Sequence, residues 1–464
     1  MSGSPQSSPQ NLPRVSLRSD LRLAWLLTRG SDRREWWRVT LTAVGAGLAT
    51  GFALGAAALA SVSGWYRIPF ANGLLDEPGT RDGVMFALLL LLAPVLGFLG
   101  QCARIGAVHR DRRLAALRLA GATPWQVRRI AALESGLACL LGSAVSTVFS
   151  VLFMLRIGPP SAAAWLGFAL VAVAVPVLGA VVSAVSLRRV VASPLGRVRR
   201  VRPATNKGIR ALLLATVLLT AVAALMVATG TRGRFNGLPL IVFTLVVLTG
   251  MGAVWLAGAS ARLIGRLLAT RARSAAVLIA AERLRDDPWA AARSHAAALL
   301  VAIAGTGFMG VREVLLEGLD PKYAYAPYSP EDLAFYNTGL DLTAAAILVA
   351  LAVTLGGLAV GAAESLATRR RGLAAQAASG VPREVLGKAL LLETALPLAP
   401  AMVLAGIGGM GVSTWYAVLA GDGRPAPLLP LLAPFVIYAA CVLTAAASLP
   451  LLRRTVRPAE LRYT

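Results

Sequence analysis

Ten runs of roughly twenty apolar residues, most of them ended by arginine or by a Gly/Pro turn, decide what this chain can fold into. With 57% of its 464 residues hydrophobic and 15% charged, one soluble interior cannot enclose them, and a bilayer must take the rest. The expected fold is an all-α polytopic membrane protein with ten transmembrane helices. The runs cover 39–63, 84–107, 137–155, 163–187, 211–231, 240–263, 293–310, 342–363, 396–419 and 428–452.

A formal net charge of +24 would suggest nucleic acid in a soluble protein. Here the arginines gather at the ends of apolar runs, without the interleaved aromatics of a nucleic-acid groove, so the charge reads as a topology signal. With both termini inside, about 38 of the 46 Lys and Arg fall in cytosolic segments, which is the positive-inside bias. Cys102, Cys139 and Cys441 lie in or beside apolar runs with no CxxC spacing, and His109 and His295 stand alone. Buried packing, not a disulfide or a zinc site, is the expectation for the cysteines, and membrane-edge packing or solvent contact, not metal binding, for the histidines.

One plan occurs twice between these runs. HRDRRLAALRLAGATPWQVRRIAALE, from His109 to Glu134, is basic at its start and has an Ala/Leu helix, a Gly turn, a second helix and a closing carboxylate. RRRGLAAQAASGVPREVLGKALLLE, from Arg369 to Glu393, repeats it. Gly121 and Gly380 stand 259 residues apart, as do Glu134 and Glu393. Leu114, Leu117, Ala120, Val127 and Ile130 share one face of the first copy, with arginines opposite, which suits docking into a groove on a cytosolic partner.

The duplication orders the chain into four parts. Residues 1–38 comprise a Ser/Pro/Gln-rich tail without the make-up of a cleavable signal, then an amphipathic stretch, 21–38, that is an interfacial helix or a simple topology anchor. Residues 39–203 form a first four-span unit, 204–265 a two-span linker hairpin expected at the periphery, and 266–464 a second four-span unit. An amphipathic segment, 280–292, precedes span seven as 21–38 precedes span one.

Arg113, Leu117, Arg118, Ala120, Gly121, Ala122, Thr123, Gln126, Val127 and Glu134, placed after the second span of a four-span unit, resemble the FtsX-like (MacB-type) ABC transporter permease family. The two-unit, ten-span layout resembles the subgroup associated with antimicrobial-peptide sensing and resistance. The first copy of the motif is close to the family pattern. The second is looser, with Ala377 for Arg118, Val381-Pro382 for Ala122-Thr123 and Glu384 for Trp125.

The resemblance implies a permease subunit worked by a separate ABC ATPase, in two copies, which binds the ATP and Mg. It also implies that Leu117 to Val127, and Gln376, Gly380, Val381, Pro382 and Val385, sit in grooves on those ATPases. Glu134 and Glu393 would then lie at the membrane edge, pairing with an arginine or capping a helix start. The residues agree with a non-enzymatic subunit, because no GxxxxGK[ST] loop is present to cradle a nucleotide. Relatives carry a large domain outside the membrane where this chain has only 64–83 and 311–341.

The second of those stretches is acidic and aromatic. Glu313, Glu317, Asp320, Glu331 and Asp332 interleave with Tyr323, Tyr325 and Tyr328, a composition suited to a cationic amphiphile or a protein cap, or simply to a solvated loop with interfacial tyrosines. Three functions compete. A permease subunit would export, extract or detoxify a hydrophobic or peptide substrate such as an antibiotic. A mechanotransmission subunit would control an envelope enzyme or sensor and transport nothing. An ion-coupled carrier would need charges inside its spans, which this sequence lacks.

Overall fold

A computed structural model describes residues 33–62, 64–65, 67–68, 71–102, 116–117, 119–157, 162–186, 238–320, 328–420 and 428–455. Among the described residues there are twelve α-helices and no strand. They are α1 (Arg33–Ala60), α2 (Pro78–Cys102), α3 (Pro124–Ile157), α4 (Ala162–Ser186), α5 (Leu238–Arg271) and α6 (Ala275–Asp286). After these come α7 (Trp289–Leu319), α8 (Pro330–Thr368), α9 (Arg370–Ala378), α10 (Arg383–Leu419), α11 (Leu432–Ala447) and α12 (Leu449–Thr455). Nine stretches of the described chain are long and apolar enough to cross a membrane, and the span expected at 211–231 lies outside the described residues.

The same neighbours recur along the chain. Helix α1 packs on α2, α3 and α4, with α3 in turn on α4, and α7 packs on α8, α10 and α11, with α10 on α11. The most extensive contacts are α1 with α3 and α7 with α10, and the two groups meet through α2 against α8. In lipid, helix pairs are held by close packing instead of hydrophobic exclusion, so small residues mark the crossings. A Cβ on Gly142 of α3 would lie 1.9 Å from the Ala43 carbonyl oxygen of α1. Beside it the Ser146 hydroxyl donates to the Gly47 carbonyl at 2.6 Å. Where α10 crosses α7, a Cβ on Gly409 would lie 2.8 Å from the Ile303 carbonyl oxygen.

Several expected boundaries move. Helix α5, the second half of the hairpin expected at the periphery, builds one face into the core: Val246, Ala253 and Ala257 join the main apolar cluster with Leu299 and Ile303 of α7 and Leu398 and Ala405 of α10. The segment 280–292 is not a single helix. It breaks at Asp287 and Pro288 between α6 and α7, and Ala280, Ala281, Leu284, Ala291 and Ala292 are buried. Small alanines let α6 tuck against α5 and α10, a packing that amphipathic spacing alone cannot tell from a lipid-facing one. Of the stretch 21–38, residues from Arg33 onward are the start of α1 itself, and the remainder lies outside the described residues.

The stretch 311–341 is not a long loop. Helix α7 continues to Leu319, so Glu313 and Glu317 are helical, and α8 begins at Pro330. Asp332 is spent locally. The Ser329 hydroxyl oxygen accepts from the Asp332 N–H at 3.1 Å and the Asp332 carboxylate accepts from the Ser329 N–H at 3.1 Å, closing a capping box. At the same end of the bundle, Arg81 is 2% exposed and donates to the carbonyls of Val62 and Gly64, while Asn72 donates to the Thr338 hydroxyl at 2.8 Å.

Candidate functional site: two matching elbows

The repeated segments fold as two elbows of the same construction. In each, a short helical stretch ends at a glycine in the left-handed region, with φ of 96° at Gly121 and 94° at Gly380. The turn is closed by a bond that spans five residues. The Ala122 N–H donates to the Leu117 carbonyl at 3.0 Å, and the Val381 N–H donates to the Gln376 carbonyl at 3.1 Å. This is the Schellman closure, and it requires the left-handed backbone that glycine adopts without steric cost.

Beyond the turn each elbow runs without interruption into a spanning helix, α3 of 34 residues and α10 of 37. The short second helix expected from sequence is therefore the first two turns of a span. At the first elbow the Thr123 hydroxyl oxygen accepts from the Gln126 N–H at 3.2 Å, and the Gln126 side-chain carbonyl accepts from the Thr123 N–H at 2.8 Å. Both side chains are thus committed to capping α3, a role the Thr-x-x-Gln spacing carries in its own right. At the second elbow Pro382 occupies that place and provides no side-chain cap.

The inner faces also correspond. Val127 is fully buried, and its counterpart 259 residues on is Leu386, also fully buried, whereas Val385 is only half-buried. Leu386 is the residue the sequence reading missed, although the constant offset contained it. Leu366, Leu373 and Leu452 pack with Leu386, flanked by Ala377 and Val381, and hold the second elbow against α8 and α12.

The tips differ. Leu119 is 71% exposed and Trp125 65% exposed on either side of Gly121. Ala378 and Glu384 take the matching positions beside Gly380. Ala120, Gly121 and Thr123 are exposed, Leu117, Ala122 and Gln126 half-buried. Arg113 and Arg118 lie outside the described residues.

Both of the repeated carboxylates find arginines. Glu134, on α3, pairs with Arg38 of α1, the two side chains being 3% and 6% exposed. Glu393, on α10, accepts from Arg369 at 2.8 Å and 3.0 Å and from Arg283 of α6 at 3.4 Å. Arg283 also donates to the Gln376 side-chain carbonyl at 3.4 Å, tying α6 to both sides of the second elbow. Burial pulls the Arg283 guanidinium below its ordinary pKa, the Glu393 charge works against that shift, and Arg369 adds to it. Periodicity gives no hint of these pairs, because Arg38 and Arg283 belong to other helices.

The acidic and aromatic residues at the opposite end are only partly gathered. The rings of Tyr328 and Tyr336 stand 6.2 Å apart and those of Phe335 and Tyr336 5.3 Å, both edge to face. Glu331 and Asp332 are exposed on the same first turns of α8, while Glu313, Glu317 and Asp320 belong to the end of α7. Tyr323 and Tyr325 lie outside the described residues. No group of three or more His, Cys, Asp or Glu among the described residues could hold a metal ion.

Residues 83–195 match the family model described as FtsX-like permease C-terminal, a region that takes in α2, the first elbow, α3 and α4. No curated protein matches the chain. With its apolar helices, the match makes the chain a multi-pass membrane protein, and the domain is that of a non-catalytic membrane subunit of an ABC-type system. Residues 83–195 thus carry a domain similar to the FtsX-like permease C-terminal domain.

Proposed function

We propose that this permease couples ATP hydrolysis by separate ATPase subunits, one at each elbow, to the extraction or export of a hydrophobic or peptide substrate such as an antibiotic. ATP and Mg belong to that partner. The observation that carries the reading is mechanical. Each elbow is rigidly continuous with the spanning helix that makes the most extensive contact of its group, α3 with α1 and α10 with α7. A push on an elbow is therefore delivered along an unbroken helix into a helix pair, and the two groups tilt as bodies about α2 against α8.

In this reading residues 39–203 and 266–464 are the two working units and both chain termini lie on the ATPase side. The first elbow makes the stronger contact, because Leu119 and Trp125 offer an exposed apolar tip that Ala378 and Glu384 do not. The acidic and aromatic end of α8 is where a cationic peptide would be met. Affinity purification of the full chain from its host in mild detergent tests this. An ATPase subunit near two copies per chain is expected, falling to about one copy with Leu119→Ala and Trp125→Ala together. Gly121→Pro should reduce ATPase coupling more than Gly380→Pro, and equal losses would count against the asymmetry. Absence of any ATPase under several gentle conditions would overturn the proposal.

A further inference from the structure

Between the end of α5 and the end of α6 lies a polar notch of about 400 Å³, walled by Arg262 and Arg266 of α5 and by Glu282, Arg285 and Asp286 of α6. One small residue makes it possible. Gly265 stands between the two α5 arginines, and a Cβ there would lie 3.0 Å from the Ala281 carbonyl oxygen and 3.1 Å from Cγ of Arg285. This close crossing gathers three guanidinium-bearing side chains around one space. Arg262 and Arg266 are one turn apart on the same helix face, as are Glu282 and Asp286.

The level of the notch points to lipid. From Leu238 to Ala261, helix α5 carries no charged side chain, a run of roughly 36 Å at about 1.5 Å per residue, against a hydrocarbon core of about 30 Å. Arg262 is the first charge after that run and so stands where phospholipid phosphates begin. On the same two turns Leu263 and Leu267 are 59% and 48% exposed, an apolar flank beside the arginines.

The surrounding charges leave the notch positive. Arg285 pairs with Glu282 at 2.6 Å, Arg283 is turned to Glu393 and Gln376, and Asp287 is held by Arg293. Arg262 and Arg266 have neither an ion pair nor a hydrogen-bond partner among the described residues, and on the wall only Asp286 is an acid in the same position. Arg271 and Arg273, exposed where α5 gives way to α6, add charge of the same sign.

We propose that the notch holds the phosphodiester of an anionic phospholipid in the leaflet on the elbow side. Arg262 and Arg266 donate to its non-bridging oxygens, which a guanidinium fork matches in shape and charge. An acyl chain lies along Leu263 and Leu267, and Asp286 accepts from a headgroup hydroxyl such as that of phosphatidylglycerol. The notch is walled by α5 and α6 alone, so the site holds whether or not ATPases act at the elbows.

Native mass spectrometry of the full chain, released from micelles holding phosphatidylglycerol or phosphatidylethanolamine, tests this. Phosphatidylglycerol should stay bound under activation that strips phosphatidylethanolamine. Arg262→Gln with Arg266→Gln should raise the apparent Kd of one retained phosphatidylglycerol about tenfold. Millimolar inorganic phosphate should leave that lipid in place, because a free anion gains nothing from the leucine flank. On the unmodified chain, a higher ammonium acetate concentration should weaken retention, since ions screen charges this near to solvent; this readout does not depend on how the variant folds. Equal retention of phosphatidylethanolamine, retention unmoved by the paired glutamine substitutions or by ionic strength, or displacement by inorganic phosphate would overturn the proposal.

Discussion

Replacing Gly121 with alanine isolates the energetics of the first elbow. The glycine holds φ at 96°, and a Cβ built on it meets nothing within 4 Å among the described residues, so the cost expected of the substitution is conformational. An L-residue in the left-handed region costs about 1–2 kcal/mol. A stiffer unfolded segment offsets part of this, about 0.4–1 kcal/mol where the backbone is compatible. The net is about 1 kcal/mol, or a factor of about five in local opening. Amide hydrogen exchange on the full chain in detergent reads that opening directly, in peptides across 116–127, with 376–386 as the internal reference. Gly121→Ala should raise exchange there about fivefold, and Gly121→Asn should raise it less, because asparagine tolerates the left-handed region. Unchanged exchange in Gly121→Ala, or an asparagine variant that opens as readily as alanine, would refute the view that the turn depends on backbone handedness.

Glu134→Gln should cost about 3–5 kcal/mol, because it strands the buried Arg38 guanidinium. Glu393→Gln should cost clearly less, since Arg369 is 38% exposed and Arg283 keeps Gln376; thermal unfolding in detergent gives the order, and the reverse order would be wrong for this packing. Gly142→Leu must part α1 from α3 at the Ala43 carbonyl, whereas a Cβ at Gly100 meets nothing within 4 Å among the described residues, so only Gly142→Leu, and not Gly100→Leu, should abolish a monodisperse size-exclusion peak. Ser329→Ala removes one arm of the capping box and should destabilise the first turn of α8 by about 1 kcal/mol, seen as faster amide exchange over residues 330–333.

Much of this could be read from residue order. A spanning helix satisfies its own backbone hydrogen bonds and needs only an apolar run of sufficient length, so membrane class and nearly every span follow from local composition. The elbows were legible for a related reason, since a left-handed glycine and the Thr-x-x-Gln cap are local devices, and the constant offset of 259 between Gly121 and Gly380 is plain in the text of the chain. That same offset identifies Leu386, which judging the second copy by side-chain type alone overlooked. Where one helix gives way to the next was less legible: Glu313 and Glu317 read as loop acids, yet α7 carries them, because charged residues are tolerated in helix turns at the membrane edge.

Which helix touches which was decided only by the tertiary structure. Arg38 reaches Glu134 from α1 and Arg283 reaches Glu393 from α6, and one face of the hairpin helix α5 is built into the core. In lipid, every apolar helix face is soluble in the same medium, so hydrophobicity fixes that a helix spans without saying which neighbour it prefers. That choice falls to small-residue crossings such as Gly142 against Ala43 and to a few buried charges, whose complementarity exists only once the helices have been brought together.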